Sequence, residues 1–200
     1  MSKNIEAPLL PEHLIKNCRL LAHRNHLLKH LPKQGIGIEI GVLGGDWSEH
    51  LLSVTQPTEL ILVDTYNSND YPHQNRFTKK NHEAFIKNRF VSHHDKVKVV
   101  KGCSWDVLAT FPEKYFDWIY VDAAHDYKSV KKDIEQAFRT LKPNGYIIMN
   151  DYIMYDHFTK EDYGVVQATN EFMIKNNFEM LYFALHPNMF CDVVIKRMES

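Results

Sequence analysis

The segments "YVDAAHDY" (120–127) and "IMNDY" (148–152) hold residues suited to chemistry. Each contains an apolar run ending in an acid, Asp122 in one and Asp151 in the other; Asn150 directly precedes Asp151, and His125 follows Asp122 by three positions. If the two runs are neighbouring strands, their carboxylates converge on one cation at the open edge of a sheet, and Asn150 adds a third oxygen. An all-oxygen set of this kind suits Mg²⁺ completed by water or substrate, and disfavours zinc. His125 lies one turn from Asp122, so both side chains can point into one cleft. An imidazole with an unperturbed pKa of about 6.5 can take a proton near neutrality. The plainer roles for these residues are pocket lining for Asp122 and buttressing of the loop for His125.

A second constellation begins at "GIGIEIGVLGGDWSEHLL" (35–52). A dinucleotide fingerprint would place G-x-G-x-x-G after the strand, but Leu43 stands where its second glycine should be. The pattern is instead Glu39-x-Gly41-x-x-x-Gly45. An acid inside the strand before the turn suits a ligand with a cationic amine better than a pyrophosphate. The next apolar run, "ELILVD" (59–64), ends in Asp64. A carboxylate there can accept from both hydroxyls of a ribose, and it would repel a 2′-phosphate.

The elements that must position these residues follow from hydrophobic periodicity. Residues 11–31 are predicted to form an amphipathic helix, with Leu14, Leu20, Leu21, Leu27, Leu28 and Leu31 on one side. Strands are predicted at 35–41, 59–64, 96–100, 116–122 and 146–151, and helices from about Asp46, around 77–90, after Ser104, over 127–141 and over 163–177. "KPNG" (142–145) is predicted as a helix stop and turn, and the last two apolar runs as a hairpin around "HPN". This alternation implies an α/β domain with a parallel sheet and right-handed crossovers. Gly41, Asp64, Ser104, Asp122 and Asp151 all fall at or just beyond carboxyl ends of strands, where open α/β sheets bind ligands. The domain is predicted over 34–200, with residues 1–33 as a helical extension.

Composition narrows the class of protein. The chain has 200 residues, 44% hydrophobic and 24% charged, with a formal net charge of −1. That size suits one domain, and the absence of a basic excess argues against nucleic acid as a partner. No apolar run approaches a membrane span, and "MSKNIEAPLLPEHL" lacks the core of a signal peptide. Cys18, Cys103 and Cys191 form no C-x-x-C pair, so a reducing cytoplasm is the expected setting. His23, His26 and His30 share a helical face opposite the leucines, which predicts a solvated or partner-facing side and leaves self-association open.

Glu39-x-Gly41-x-x-x-Gly45, Asp64 and "LKPNGYIIMND" (141–151) together resemble the class I S-adenosylmethionine-dependent methyltransferases, over roughly residues 34–196. The resemblance implies a Rossmann-like fold: a mostly parallel seven-stranded sheet with a C-terminal antiparallel hairpin and helices on both faces. It places Glu39, Gly41 and Gly45 at the cofactor, the turn facing its methionine part, and Asp64 at the ribose. "GCSWD" (102–106) resembles the G-x-S-x-D turn of catechol O-methyltransferases, which implicates Ser104 beside the adenine with Cys103 and Trp105 flanking it. The acid cluster is similar to metal-dependent O-methyltransferases of the catechol and macrolide-sugar groups, and Asp122-x-x-His125 matches the D-x-x-H motif of the sugar group. By that likeness Asp122, Asp151 and Asn150 hold Mg²⁺, His125 is the base, and Asp122 also borders the cofactor. The order Asn150-Asp151 reverses the Asp-Asn of the catechol group, which makes Asn150 the weakest of the ligands. The implied activity is methylation of a small-molecule hydroxyl with an adjacent oxygen, on a sugar or polyphenol. A metal-independent N- or O-methyltransferase and a cofactor-binding scaffold without turnover are the alternatives. Tyr66, Tyr71, Tyr152 and Tyr155 either shape the acceptor pocket or pack loops.

Overall fold

Alternation of side chains along the central strands decides which helices cover which face. The computed structural model describes residues 6–70 and 74–198. In chain order the elements are β1 (Arg19–Leu21), α1 (Arg24–Leu27), β2 (Ile36–Ile40), α2 (Asp46–Thr55), β3 (Glu59–Asp64), α3 (His82–Arg89), β4 (Val97–Lys101), α4 (Ser104–Ala109), β5 (Phe116–Val121), α5 (Tyr127–Thr140), β6 (Leu141–Met149), β7 (Tyr155–Asp156), β8 (Glu161–Asp162), α6 (Val165–Asn176), β9 (Phe178–Ala184) and β10 (Asp192–Arg197). Ile38, Ile40, Ile61, Val63, Ile119 and Val121 meet Ile134 and Ala137 of α5 and Phe172 and Met173 of α6 in one buried cluster. Leu60, Leu62, Trp118 and Tyr120 face the other way, onto Leu27, Leu28, Leu51 and Ile86. Each strand side chain of this size contributes about 1.5–3 kcal/mol when fully buried. Helix α5 shows the local logic: Asp126 caps its N-terminus by accepting from the Lys128 and Ser129 amides, and Val130, Ile134 and Ala137 recur on its buried face.

The main sheet has the order β1-β9-β10-β6-β5-β2-β3-β4. Strands β2 to β6 run parallel to one another, and β10 lies antiparallel between β6 and β9. This is the Rossmann-like architecture expected from the sequence, with an eighth strand added at one edge. Backbone hydrogen bonds continue one residue past the parallel strands: Gly102 to Asp64 at 3.0 Å, Gly41 to Val63 at 2.8 Å, Asp122 to Ile40 at 2.8 Å and Asn150 to Val121 at 3.0 Å, each amide donating to a carbonyl. The carboxyl ends are therefore flush, and the candidate site residues start from one level.

Several local expectations are corrected. The helix predicted over 11–31 is a 3₁₀ turn at Glu12–Leu14, strand β1, the single-turn α1 and another 3₁₀ turn at Leu28–His30. Strand β1 pairs parallel with β9, which satisfies backbone groups at an otherwise open sheet edge. The leucines accordingly divide: Leu14 joins one core cluster, Leu21, Leu27, Leu28 and Leu31 the other, and Leu20 is exposed. With no continuous helix, the three histidines share no face: His23 caps α1 through its ring nitrogen, and His30 stacks on Tyr182 at 4.4 Å. "KPNG" is not a separate turn either, because β6 begins at Leu141 opposite Phe116 and bulges before pairing resumes at Tyr146 and Trp118. The loop expected at 152–163 contains a small antiparallel flap, β7 with β8. No helix among the described residues is long and apolar enough to cross a membrane.

Two glycines make the β2–β5 junction possible. A Cβ on Gly37 would lie 2.0 Å from the Trp118 indole, so this glycine makes room for a core side chain. Gly41 has φ +89° and a Cβ there would lie 1.7 Å from the Asp122 carbonyl oxygen. Gly41→Ala is therefore expected to cost at least about 3 kcal/mol. Gly44→Ala, whose Cβ would meet the far end of Arg76 first and disturb its bonds to Asp46 and Asp70, should cost less, about 1–2 kcal/mol. Urea melts of the two variants check this; equal losses would show that the close approach is not a constraint.

Candidate active site

The flush strand ends open into a cleft of about 940 Å³. Its floor is the turn after β2. Gly41 and Gly45 have left-handed backbones there, and so does Leu43 between them. Asp64, at the end of β3, pins that turn: its Oδ2 accepts from the amides of Val42 at 2.9 Å and Leu43 at 3.1 Å, and its Oδ1 from the amide of Tyr66 at 2.9 Å. The residue assigned to ribose from the sequence thus also holds the loop that lies beside it.

Glu39 projects from β2 toward α2, is 1% exposed and accepts a short hydrogen bond from the Ser48 hydroxyl. Burial drives its pKa well above the usual carboxylate range, and the Ser48 bond offsets only part of that. On the far side of the cleft, Ser104 begins α4 and donates to Asp133 of α5 at 2.5 Å. Cys103 and Trp105 line the cleft beside it, and the Lys132 ammonium lies 4.5 Å over the Trp105 ring. Asp133 is fully buried, and its second oxygen has no hydrogen-bond partner among the described residues. Burial raises it to about 6.

Asp122, His125 and Asp151 come together: one ligand atom from each lies within 4.8 Å of the others. His125 Nε2 is 3.6 Å from Asp122 Oδ1 and 3.6 Å from Asp151 Oδ2, too long for a hydrogen bond to either, and it is buried without a hydrogen-bond partner among the described residues. The ring is held by Tyr163, stacked on it at 4.5 Å with the planes 7° apart, and by Gly164, whose amide donates to the His125 carbonyl. Burial pushes Asp151 up to about 7, reinforced by the charge of Asp122 and opposed by His125 and Arg24. Burial works against the charged imidazole of His125, but Asp122 and Asp151 outweigh it, and its pKa rises. Asp151 also has a left-handed backbone, φ 49°, a conformation aspartate tolerates better than most residues.

Asn150 lines the same cleft, but its amide nitrogen is already bonded. Its amide donates to Asp192 Oδ1 at 3.1 Å and to the Tyr120 hydroxyl at 3.3 Å, and it is 3% exposed. Tyr120 in turn donates to Asp192 at 2.6 Å. Asp192, completely buried, is raised to about 7, chiefly by burial. This polar layer beneath the cleft was not anticipated; its one trace in the sequence is an acid among the apolar residues of "MFCDVVIKR". Also unanticipated were Trp47 and Arg24, both of which line the cleft. The mouth is formed by the flap and the β9–β10 loop, where Phe158 and Phe190 stack at 5.8 Å. Of the four tyrosines considered, Tyr66 is core and Tyr152 hydrogen-bonds Asn170, Tyr155 is on the flap, and Tyr71 lies outside the described residues.

A parallel sheet with a glycine turn after its first central strand, an acid after the next and a terminal antiparallel hairpin defines the class I methyltransferase fold. A family model described as a methyltransferase domain matches residues 38–152, more than half of the chain, and the protein belongs to that family of S-adenosylmethionine-dependent enzymes. No curated protein matches the sequence significantly. Similar solved structures include a Corynebacterium glutamicum protein (TM-score 0.61, 15% identity, 97% of this chain and 85% of that one). An O-methyltransferase from Bacillus cereus in complex with SAH is also similar (0.58, 16%, 86% and 78%), as is a cofactor-bound protein from MTB (0.63, 19%, 88% and 80%). At these identities the likeness is one of fold.

Asp133 gives a test of the cleft's polar wall. Its proton is held more tightly in the folded chain than in the unfolded one, so its contribution favours folding at low pH. That contribution is lost as pH rises through about 6. Asp133→Asn keeps an acceptor for Ser104 and removes the buried charge. It should raise stability by only about 1 kcal/mol at about pH 4.5 and by up to about 3 kcal/mol near pH 8. Thermal melts at the two pH values check this, and a variant less stable at the higher pH would contradict it.

Proposed function

We propose that the protein is an O-methyltransferase that transfers the methyl group of S-adenosylmethionine to a small-molecule hydroxyl, with a divalent cation held by Asp122, His125 and Asp151. The observation that carries this reading is the convergence of those three ligand atoms beside the glycine turn. The fit is supported by His125 Nε2, a buried nitrogen that has no hydrogen bond among the described residues and faces both carboxylates. Carboxylates suit Mg²⁺ and Mn²⁺ alike, whereas an imidazole in the set favours a first-row transition ion over Mg²⁺. Such a cation supplies Lewis-acid stabilisation to an acceptor oxygen that is losing its proton.

The protein's own residues set the rest. Tyr163 fixes the plane of the imidazole, and the Asn150 amide is committed to Asp192 and Tyr120. Glu39, which lines the cleft beside the glycine turn, would take the ammonium of the methionine end. With Nε2 turned toward the carboxylates, His125 acts in this reading as a donor to the cation; the D-x-x-H likeness made it the base. The stacked rings of Phe158 and Phe190 at the mouth favour a planar acceptor with vicinal oxygens, a polyphenol before a sugar. The name of the similar Bacillus cereus structure agrees with oxygen as the acceptor atom.

Exhaustive chelation should lower turnover at least about 100-fold, with recovery on adding Mn²⁺ or Mg²⁺. Full activity after chelation would instead favour a metal-independent methyltransferase. Asp151→Asn should abolish Mn²⁺ binding in calorimetry and leave cofactor binding intact. His125→Ala should weaken Mn²⁺ by about 10–100-fold. Unchanged Mn²⁺ affinity with a kcat lower by about 10²–10⁴-fold would return His125 to the role of base. Mass spectrometry with labelled cofactor and a panel of catechols and sugars identifies the acceptor; bound cofactor without transfer to any of them would favour a scaffold.

A further inference from the structure

We propose that Arg24 is a cofactor-binding residue whose guanidinium takes the carboxylate at the amino-acid end of S-adenosylmethionine. The inference rests on the cofactor dependence of the family, and it assigns a residue outside the segment 38–152 that the family model covers. Arg24 is the first residue of α1. It reaches the cleft because β1 docks along β9 and delivers the next residues to the carboxyl edge of the sheet.

The guanidinium carbon lies 4.0 Å over the ring of Trp47, the second residue of α2, directly after the glycine turn. The side chain is 20% exposed, and the carboxylate paired with it, on Asp192, is 4.0 Å away. Its five N–H donors make no hydrogen bond among the described residues. The other arginines near the turn are committed: Arg76 to Asp46 and Asp70, and Arg89 to Glu49, Asp46 and the Gly44 carbonyl.

Charge on the cleft wall makes the same point. Among the described residues lining it, Arg24 is the only lysine or arginine, whereas Glu39, Asp46, Asp64, Asp122, Asp151 and Asp156 are all acids. A zwitterionic amino-acid group needs an acid for its ammonium and a cation for its carboxylate. The acids are plentiful and would repel the carboxylate. Arg24 meets it with a planar fork suited to bidentate binding, and the Trp47 ring holds that plane in place.

The test is calorimetry with two probes, S-adenosylhomocysteine, which carries the amino-acid end, and 5′-methylthioadenosine, which shares the adenosine and lacks that end. Arg24→Met should weaken S-adenosylhomocysteine about ten- to a hundredfold and leave 5′-methylthioadenosine unchanged. Arg24→Lys should recover part of the loss. Unchanged affinity for S-adenosylhomocysteine, or an equal loss for both probes, would overturn the assignment. Failure of the unaltered protein to bind either probe would overturn the cofactor reading itself.

Discussion

The approach of two backbones at one point governs the rest of this molecule. At the carboxyl ends of β2 and β5 the carbonyl oxygen of Asp122 occupies the space where any side chain at position 41 would begin. Only a glycine with a left-handed backbone closes the junction. Because it closes, the hydrogen-bond ladder runs past the last residue of each parallel strand. Gly41, Asp64, Asp122 and Asp151 then stand on one level around a single cleft. Had the strands ended at staggered heights, the same residue types would be present without a site.

Crowding of acids is the second physical feature. Glu39, Asp151 and Asp192 are buried close to Asp122, and burial raises all three. Burial therefore favours the protonated forms of acids that would otherwise repel one another, with His125 and Arg24 as the cationic counterweights. This arrangement costs stability and gives a cleft poised for cations, whether an ammonium, a sulfonium or a metal. Perturbed acids in a cleft mark function more often than structural convenience, since an apolar floor would fold more easily.

The chain before β2 contributes more than an extension. Its strand β1 covers the edge of the sheet, and the residues after it close the wall of the cleft next to Trp47. On the opposite side, the β7–β8 flap is tied down by Asp156, which accepts from the Phe158 and Thr159 amides and from the hydroxyls of Thr159 and Tyr163. Tyr163 then carries the fixed position of the flap to His125 through ring stacking. The cleft is thus assembled from a floor given by the parallel strands and from walls that lie outside the repeating β/α pattern.

The sequence by itself determined the floor. Apolar runs ending in acids, separated by helical periodicity, can fold only into a parallel sheet whose acids share one edge, and local patterning suffices to read that. The placement of Glu39, Gly41, Asp64, Ser104, Asp122, His125 and Asp151 around one cleft was legible for this reason. The tertiary structure alone decided the N-terminal segment, where leucine spacing favours a helix but hydrogen bonding to an open sheet edge wins. It also decided the partner of Asn150, whose amide donates to the buried carboxylate of Asp192, 42 positions along the chain. Arg24, Trp47 and Asp192 belong to the same class. Their roles come from contacts between elements far apart in sequence, and no local period or motif encodes a contact of that kind.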